Sequence, residues 1–166
     1  MRILVAVATK HGATYEIAEV IGDALRLHGL DSVTMPVQDA TLDGVDAVVL
    51  GSAVYAGHWR TAAVEFLRHN ERRLRTMPVW LFSSGPVGGF PAPEENPVGM
   101  ADLAAATGAR GHRVFAGMLD RRQLSFTERA VTTALRVPAG DFRDFDEVRE
   151  WADGIAEALR TQSTSR

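Results

Sequence analysis

The sequence predicts an α/β protein in which five parallel strands form the middle layer of a three-layer α/β/α sandwich. Three observations carry this. Short apolar runs alternate with amphipathic stretches along the chain, the rhythm of successive β-α-β units. The first run, residues 3–8, is continuously apolar, as a strand covered on both faces requires. The chain has 166 residues, roughly one domain's worth. Its 46% hydrophobic and 23% charged residues are the balance of a globular protein, not a disordered or fibrous one.

After the run at 3–8 the period changes. Ile17, Val20, Ile21, Ala24 and Leu25 fall at spacings of three and four, which is one helix face, and Gly29 follows where a left-handed cap is wanted. Residues 33–37 read as a second strand. Pro36 argues that it lies at a sheet edge, because proline has no N–H to give to a ladder. Ala47, Val48, Val49 and Leu50 form a third, buried strand. Residues 61–74 form a helix with Ala62, Phe66 and Leu67 on one side and basic residues toward its end. Residues 78–82 are the fourth strand, 97–107 a helix stopped by Gly108, and 112–119 the fifth strand. Residues 144–160 form the last helix, with Asp144 capping it and Glu147 answering as a capping box. Residues 161–166 have nothing to bury and are expected to fray, which leaves a domain over residues 1–160.

One stretch breaks the rhythm. Residues 120–143 are far longer than the usual connection of about 2–6 residues. Ser125 and Glu128 within it read as a second capping box, opening a short helix that runs to Leu135. The stretch is therefore an insertion after strand five, and insertions on rigid scaffolds often carry specificity.

Composition excludes several functions. Eighteen Lys and Arg against 21 Asp and Glu leave a net charge of −3, without the basic excess that nucleic-acid binding needs. No cysteine is present, so there is no disulfide framework, thiolate nucleophile or thiolate metal site. No two histidines have helical ligand spacing beside a carboxylate, and no metal is expected. No apolar run approaches the roughly 20 residues that span a bilayer. Residues 1–8 lack the pattern of a cleaved leader, so the expected compartment is the cytoplasm, with peripheral contact at the inner face of the membrane left open.

Ligands of open parallel sheets bind beyond the carboxyl ends of the strands, so the segments after strands one, three and four matter most. After strand one come Thr9, Lys10, His11, Gly12, Ala13 and Thr14, running straight into a helix. Hydroxyls, a glycine and free amides at a helix N-terminus suit an anion, although a plain capped turn has the same make-up. Gly12-Ala13-Thr14 lacks the lysine of the nucleoside-triphosphate loop, and the dinucleotide fingerprint lacks two of its three glycines. A phospho-acceptor receiver needs acidic residues at the ends of strands one and three, where this chain has Ala8-Thr9 and Gly51-Ser52. After strand three, Ser52, Ala53, Val54, Tyr55, Ala56, Gly57, His58 and Trp59 offer a tight loop with aromatic surfaces for a planar ring. After strand four, Ser83, Ser84, Gly85, Pro86, Val87 and Gly88 expose backbone groups with little obstruction.

These three segments resemble the flavin mononucleotide (FMN) loops of the flavodoxin-like fold. Within that superfamily, residues 51–58 with Phe66, His69, Leu74, Met77 and Pro78 look most like menaquinone-dependent protoporphyrinogen oxidases. The resemblance implies a strand order of 2-1-3-4-5 and an FMN cofactor. Its phosphate would be held by residues 9–14 and its ring by residues 52–59 and 83–88. It implies an oxidoreductase that takes electrons from a small molecule, a porphyrinogen in that family, and passes them to a quinone. The cofactor would carry the redox chemistry while the protein supplies position and electrostatics. Tyr55 and Ala56 stand where that family tends to have arginine and tyrosine, which leaves the substrate open.

Individual residues carry two readings each. His58 is the candidate to hydrogen-bond the ring or relay a proton, or it is a plain loop histidine. Tyr55 and Trp59 stack on the ring or pack ordinarily. Arg121 and Arg122 meet a substrate carboxylate or form an exposed charge pair. Leu124, Val131 and Leu135 form a membrane-facing stripe for quinone access or bury against the rest of the chain. His28, His69 and His112 are expected to be solvated. The competing function is an electron-carrier flavodoxin that docks on partner enzymes. Such carriers are usually strongly acidic, and a charge of −3 argues against it.

Overall fold

Every side chain of β1 (Arg2–Ala8) after the first is buried, and the strand alternation sends those side chains to two different layers. The computed structural model, which describes residues 1–85, 96–134 and 136–164, places β1 between β2 (Asp31–Pro36) and β3 (Ala47–Tyr55). Beyond β3 come β5 (Val79–Ser84) and β6 (His112–Phe115), all parallel. A two-residue strand, β4 (His58–Trp59), folds back antiparallel on the end of β3. The order β2-β1-β3-β5-β6 is the expected 2-1-3-4-5 once this hairpin strand is set aside.

Ile3, Val5 and Val7 face α1 (Ala13–Leu27) and α6 (Phe145–Thr164), in a core completed by Ile17, Ile21, Leu25, Val148, Ile155 and Leu159. Leu4, Ala6 and Ala8 face the opposite layer, made by α2 (Thr61–His69), α3 (Glu71–Leu74) and α4 (Met100–Thr107). There Leu50, Leu67, Leu74, Leu81, Met100 and Leu103 fill the space. Trp151 of α6 meets Phe82 and Phe115 edge-on, with ring centroids 6.2 and 5.5 Å away. That geometry favours aromatic pairs beyond their burial alone.

Several boundaries differ from the sequence reading, each for a local reason. The helix expected over 61–74 breaks at Asn70, whose side-chain amide donates to the Phe66 carbonyl at 2.8 Å. The helix expected over 97–107 begins at Met100, after Gly99 in the left-handed region at φ 76°. The strand expected over 112–119 ends at Phe115. Met118–Leu119 (β7) leaves the sheet and pairs antiparallel with Gly140–Asp141 (β8). Half of the expected box at the last helix is built: Asp144 accepts from the Asp146 and Glu147 amides, while Glu147 turns away to pair with Arg113. The helix runs on to Thr164, past the end of its apolar periodicity. Pro36 does sit on an edge strand.

The insertion contains a short 3-10 turn (Arg121–Gln123) and α5 (Phe126–Ala134). Its end is pinned by Arg143, whose buried guanidinium donates to Asp141, Glu16 and the Ala13 carbonyl and lies over the Phe145 ring. Among the described residues, no helix is long and apolar enough to cross a membrane.

Gly51, expected to open a loop, is instead inside β3 beneath the Phe82 ring. A Cβ there would lie 2.0 Å from the nearest ring atom. Gly51→Ala is therefore expected to destabilise the protein by about 1–3 kcal/mol through overpacking. Urea unfolding checks this, and the same substitution should cost less in a Phe82→Leu background.

Candidate functional site

At the carboxyl end of β1 the chain turns through Thr9, Lys10 and His11 to Gly12, the N-cap of α1. Gly12 adopts φ 88°, a left-handed conformation that a side chain would strain, and its N–H donates to the Thr9 hydroxyl at 3.1 Å. No side chain caps α1, so the amides of its first turn are left to a ligand or to water. The Thr14 side chain is buried here and lines the cavity. This donor set fits a phosphate group.

The second wall is the β3–β4 hairpin. Ala56 (φ 49°) and Gly57 (φ 79°) are its two central residues, and two successive positive φ values make the turn whose twist suits a tight hairpin. Ala53, Val54, Tyr55, Ala56 and Gly57 line a cavity of about 550 Å³, with Tyr55 48% exposed. The third wall starts at Ser84 and Gly85, where the Gly85 N–H donates to the Phe115 carbonyl at 3.0 Å. Pro86, Val87 and Gly88 lie outside the described residues. The segment returns at Asn96, Pro97 and Val98, and the Val98 N–H donates to the Gly57 carbonyl at 2.8 Å.

Met118, Leu119, Leu124, Glu128, Val131, Thr132 and Val137 make the fourth wall, so the insertion closes the cavity. Leu124 and Val131 line the cavity, and Leu135 lies outside the described residues. A larger, more open groove of about 830 Å³ runs between the β2–β3 connection and α2, but no loop from β1 or β5 reaches it.

Glu128 joins the first wall to the fourth. Its carboxylate takes the Lys10 ammonium, accepts from the Ser125 N–H at 2.8 Å, and lies 3.6 Å from His11 Nε2. The Ser125 hydroxyl accepts from the Glu128 N–H in return, so the predicted capping box is complete. Its place in the cavity wall was not legible from that motif. The Lys10 bond, then the Ser125 amide, hold the Glu128 carboxyl down to about 2.

Other predicted site residues stand elsewhere. Ser52 is buried, donating to the Ala53 carbonyl and accepting from the Arg60 N–H at 2.9 Å. Trp59 is 5% exposed and belongs to the core, its indole N–H donating to Ser83 Oγ at 2.7 Å. Ser83 meets His112 Nε2 at 2.7 Å, and His112 Nδ1 lies 3.2 Å from Asn96 Oδ1. His112 is thus held in a network where solvation was expected, and burial lowers its pKa. His58 is exposed on the hairpin and off the cavity wall. Arg122, its side chain 90% exposed, pairs with Asp120, and Arg121 reaches the Val137 carbonyl; neither lines the cavity. The arginine that does is Arg60, which the sequence reading missed because nothing about its spacing marks it.

The depressed Glu128 pKa has a pH consequence. Stability from the ionised carboxylate is present above the ordinary carboxylate range and is lost as pH falls from about 4.5 toward 2. Glu128→Gln should cost about 1–2 kcal/mol near neutral pH, since one partner is buried and the other half-exposed. Urea unfolding of both proteins across pH should show the difference shrinking through that acid range.

The flavodoxin domain family model matches residues 4–146. The protoporphyrinogen IX dehydrogenase (quinone) of Escherichia coli K12 is 29% identical over 86 residues, 50% of this chain and 48% of that protein; its counterpart from Escherichia coli O157:H7 matches equally. The match thus spans about half the length of these curated relatives. Among solved structures, a flavodoxin from the domain Archaea superposes with a TM-score of 0.63 at 16% identity, covering 96% of this chain and 99% of that one. The two-electron reduced Megasphaera elsdenii flavodoxin gives 0.61 at 18% identity, covering 93% and 98%. Rubredoxin:oxygen oxidoreductase of Desulfovibrio gigas gives 0.66 at 13% identity, covering 96% of this chain but 36% of that one. With a family model matched over residues 4–146 and the strand order in agreement, the chain belongs to the flavodoxin domain family.

Proposed function

We propose that the cavity holds FMN and that the chain is an FMN-dependent oxidoreductase, passing electrons from a small-molecule donor to a quinone in the cytoplasm. The observation that supports this is the polarity of one cavity: the uncapped N-terminus of α1 at one end and apolar walls elsewhere. In this reading the amides of the first turn of α1 and the hydroxyls of Thr9 and Thr14 hold the phosphate. Ala53, Val54, Tyr55, Ala56 and Gly57 flank one side of the flavin ring, and Ser84 and Gly85 the other. When bound, the flavin supplies the redox centre, and the chain supplies position, shielding and electrostatics. Leu119, Leu124, Val131 and Val137 exclude water and leave an apolar surface for a flat substrate or quinone. The partial likeness to the quinone-dependent dehydrogenases supports a porphyrinogen as the donor.

The insertion favours this over an electron carrier, which needs an exposed ring edge and no room for a substrate. In a test of the cofactor, purified protein is mixed with riboflavin, FMN or flavin adenine dinucleotide, and unbound flavin is removed. A visible chromophore retained with FMN is expected; a colourless protein with all three would sink the reading. Thr14→Val should weaken FMN by about 1.5–3 kcal/mol, the worth of one hydrogen bond to a charged group. Its riboflavin affinity should not change, because riboflavin carries no phosphate.

A further inference from the structure

Arg60 stands out when every cation on the cavity wall is matched to its partner. Lys10 is neutralised by Glu128, and His11 faces the same carboxylate. Arg60 lines the cavity with no carboxylate in ion-pair reach among the described residues. Other arginines near the site are engaged: Arg122 with Asp120, Arg113 with Glu147, and Arg143 with Asp141 and Glu16.

The base of Arg60 is held in place. Its N–H donates to the buried hydroxyl of Ser52 in β3, and its carbonyl accepts from the Ala63 and Val64 amides as α2 begins. Arg60 therefore lines the cavity from a fixed backbone corner of the second wall, in company with the apolar residues Val54, Pro97, Val98 and Val114. A half-buried cation in such a space is paid for by an arriving anion, and the planar fork of arginine matches a carboxylate with two parallel bonds.

We infer that Arg60 is the specificity-determining residue of the cavity, and that it takes the carboxylate of an otherwise apolar, planar substrate or acceptor. The inference rests on the cavity being the reaction site, and it moves the anion-binding role from Arg121 and Arg122 to Arg60. The phosphate end remains with residues 9–14.

An isosteric pair of probes tests this: naphthalene-2-carboxylate and 2-naphthamide, titrated calorimetrically into wild-type, Arg60→Gln and Arg60→Lys proteins. Wild type is expected to bind the acid about tenfold or more tightly over the amide, a preference that shrinks with added salt. Arg60→Gln should bind the two equally. Arg60→Lys, which keeps the charge and loses the fork, should fall between. The Ser52 bond comes from the Arg60 backbone, so both variants keep it. Equal binding of acid and amide by wild type overturns the inference, as does an undiminished preference in Arg60→Gln. Calorimetry reads the probe whether or not flavin is bound, and visible absorbance reads the flavin. A protein that retains FMN without an acid preference therefore refutes the role of Arg60 alone. An acid preference that depends on Arg60 in a protein unable to hold any flavin refutes the cofactor reading instead.

Discussion

Glu128 is the one buried side chain that α5 brings to the rest of the protein, and it is a carboxylate. An amphipathic helix normally docks through an apolar stripe whose burial offsets its ordering entropy. Here the docking falls to an ion pair with Lys10, while the reciprocal bond with Ser125 caps α5 itself and fixes the carboxylate in place. The fourth wall of the cavity therefore depends on the same loop that leads into the uncapped N-terminus of α1. A change in charge at residues 9–14 acts on the insertion directly, with no chain of intermediates between them.

The position of that loop follows from the sheet. β1 is interior, with β2 on one side and β3 on the other, and the connections leaving it and β3 run to opposite layers. A crevice at the carboxyl ends is the geometric result of this reversal. The hairpin of β3 and β4 raises one side of it, and Arg143 ties the far end of the insertion to the first turn of α1. Three separate elements thus meet around one space, each held by hydrogen bonds or ion pairs to α1 or β3.

Parts of the site were legible in local chemistry. The residues 9–14 turn drew notice because a glycine and two hydroxyl residues stand between a buried strand and a helix, although a plain capped turn has the same make-up. The Ser125–Glu128 box was visible because its spacing is helical and local. By contrast, Trp59 and Ser83 looked like site residues and proved to be mutual core partners with His112. Nothing in their local spacing distinguishes an aromatic that faces a cavity from one that faces a helix layer. Arg60 was invisible for the opposite reason: a lone arginine becomes informative only when the other charges around it are seen to be paired.

Alternation of apolar runs and amphipathic periods was enough to establish an α/β sandwich and the location of its strands. Those signals are local, and burial on both faces leaves a parallel strand little latitude in composition. Tertiary packing settled which residues line the cavity, where α2 and the fifth parallel strand stop, and which cation of the cavity wall has no carboxylate partner among the described residues. These depend on pairings across long stretches of chain, such as Lys10 with Glu128 and Gly51 with Phe82. Pairing at that range is a property of the packed sheet and its layers, and no periodicity in a one-dimensional string encodes it.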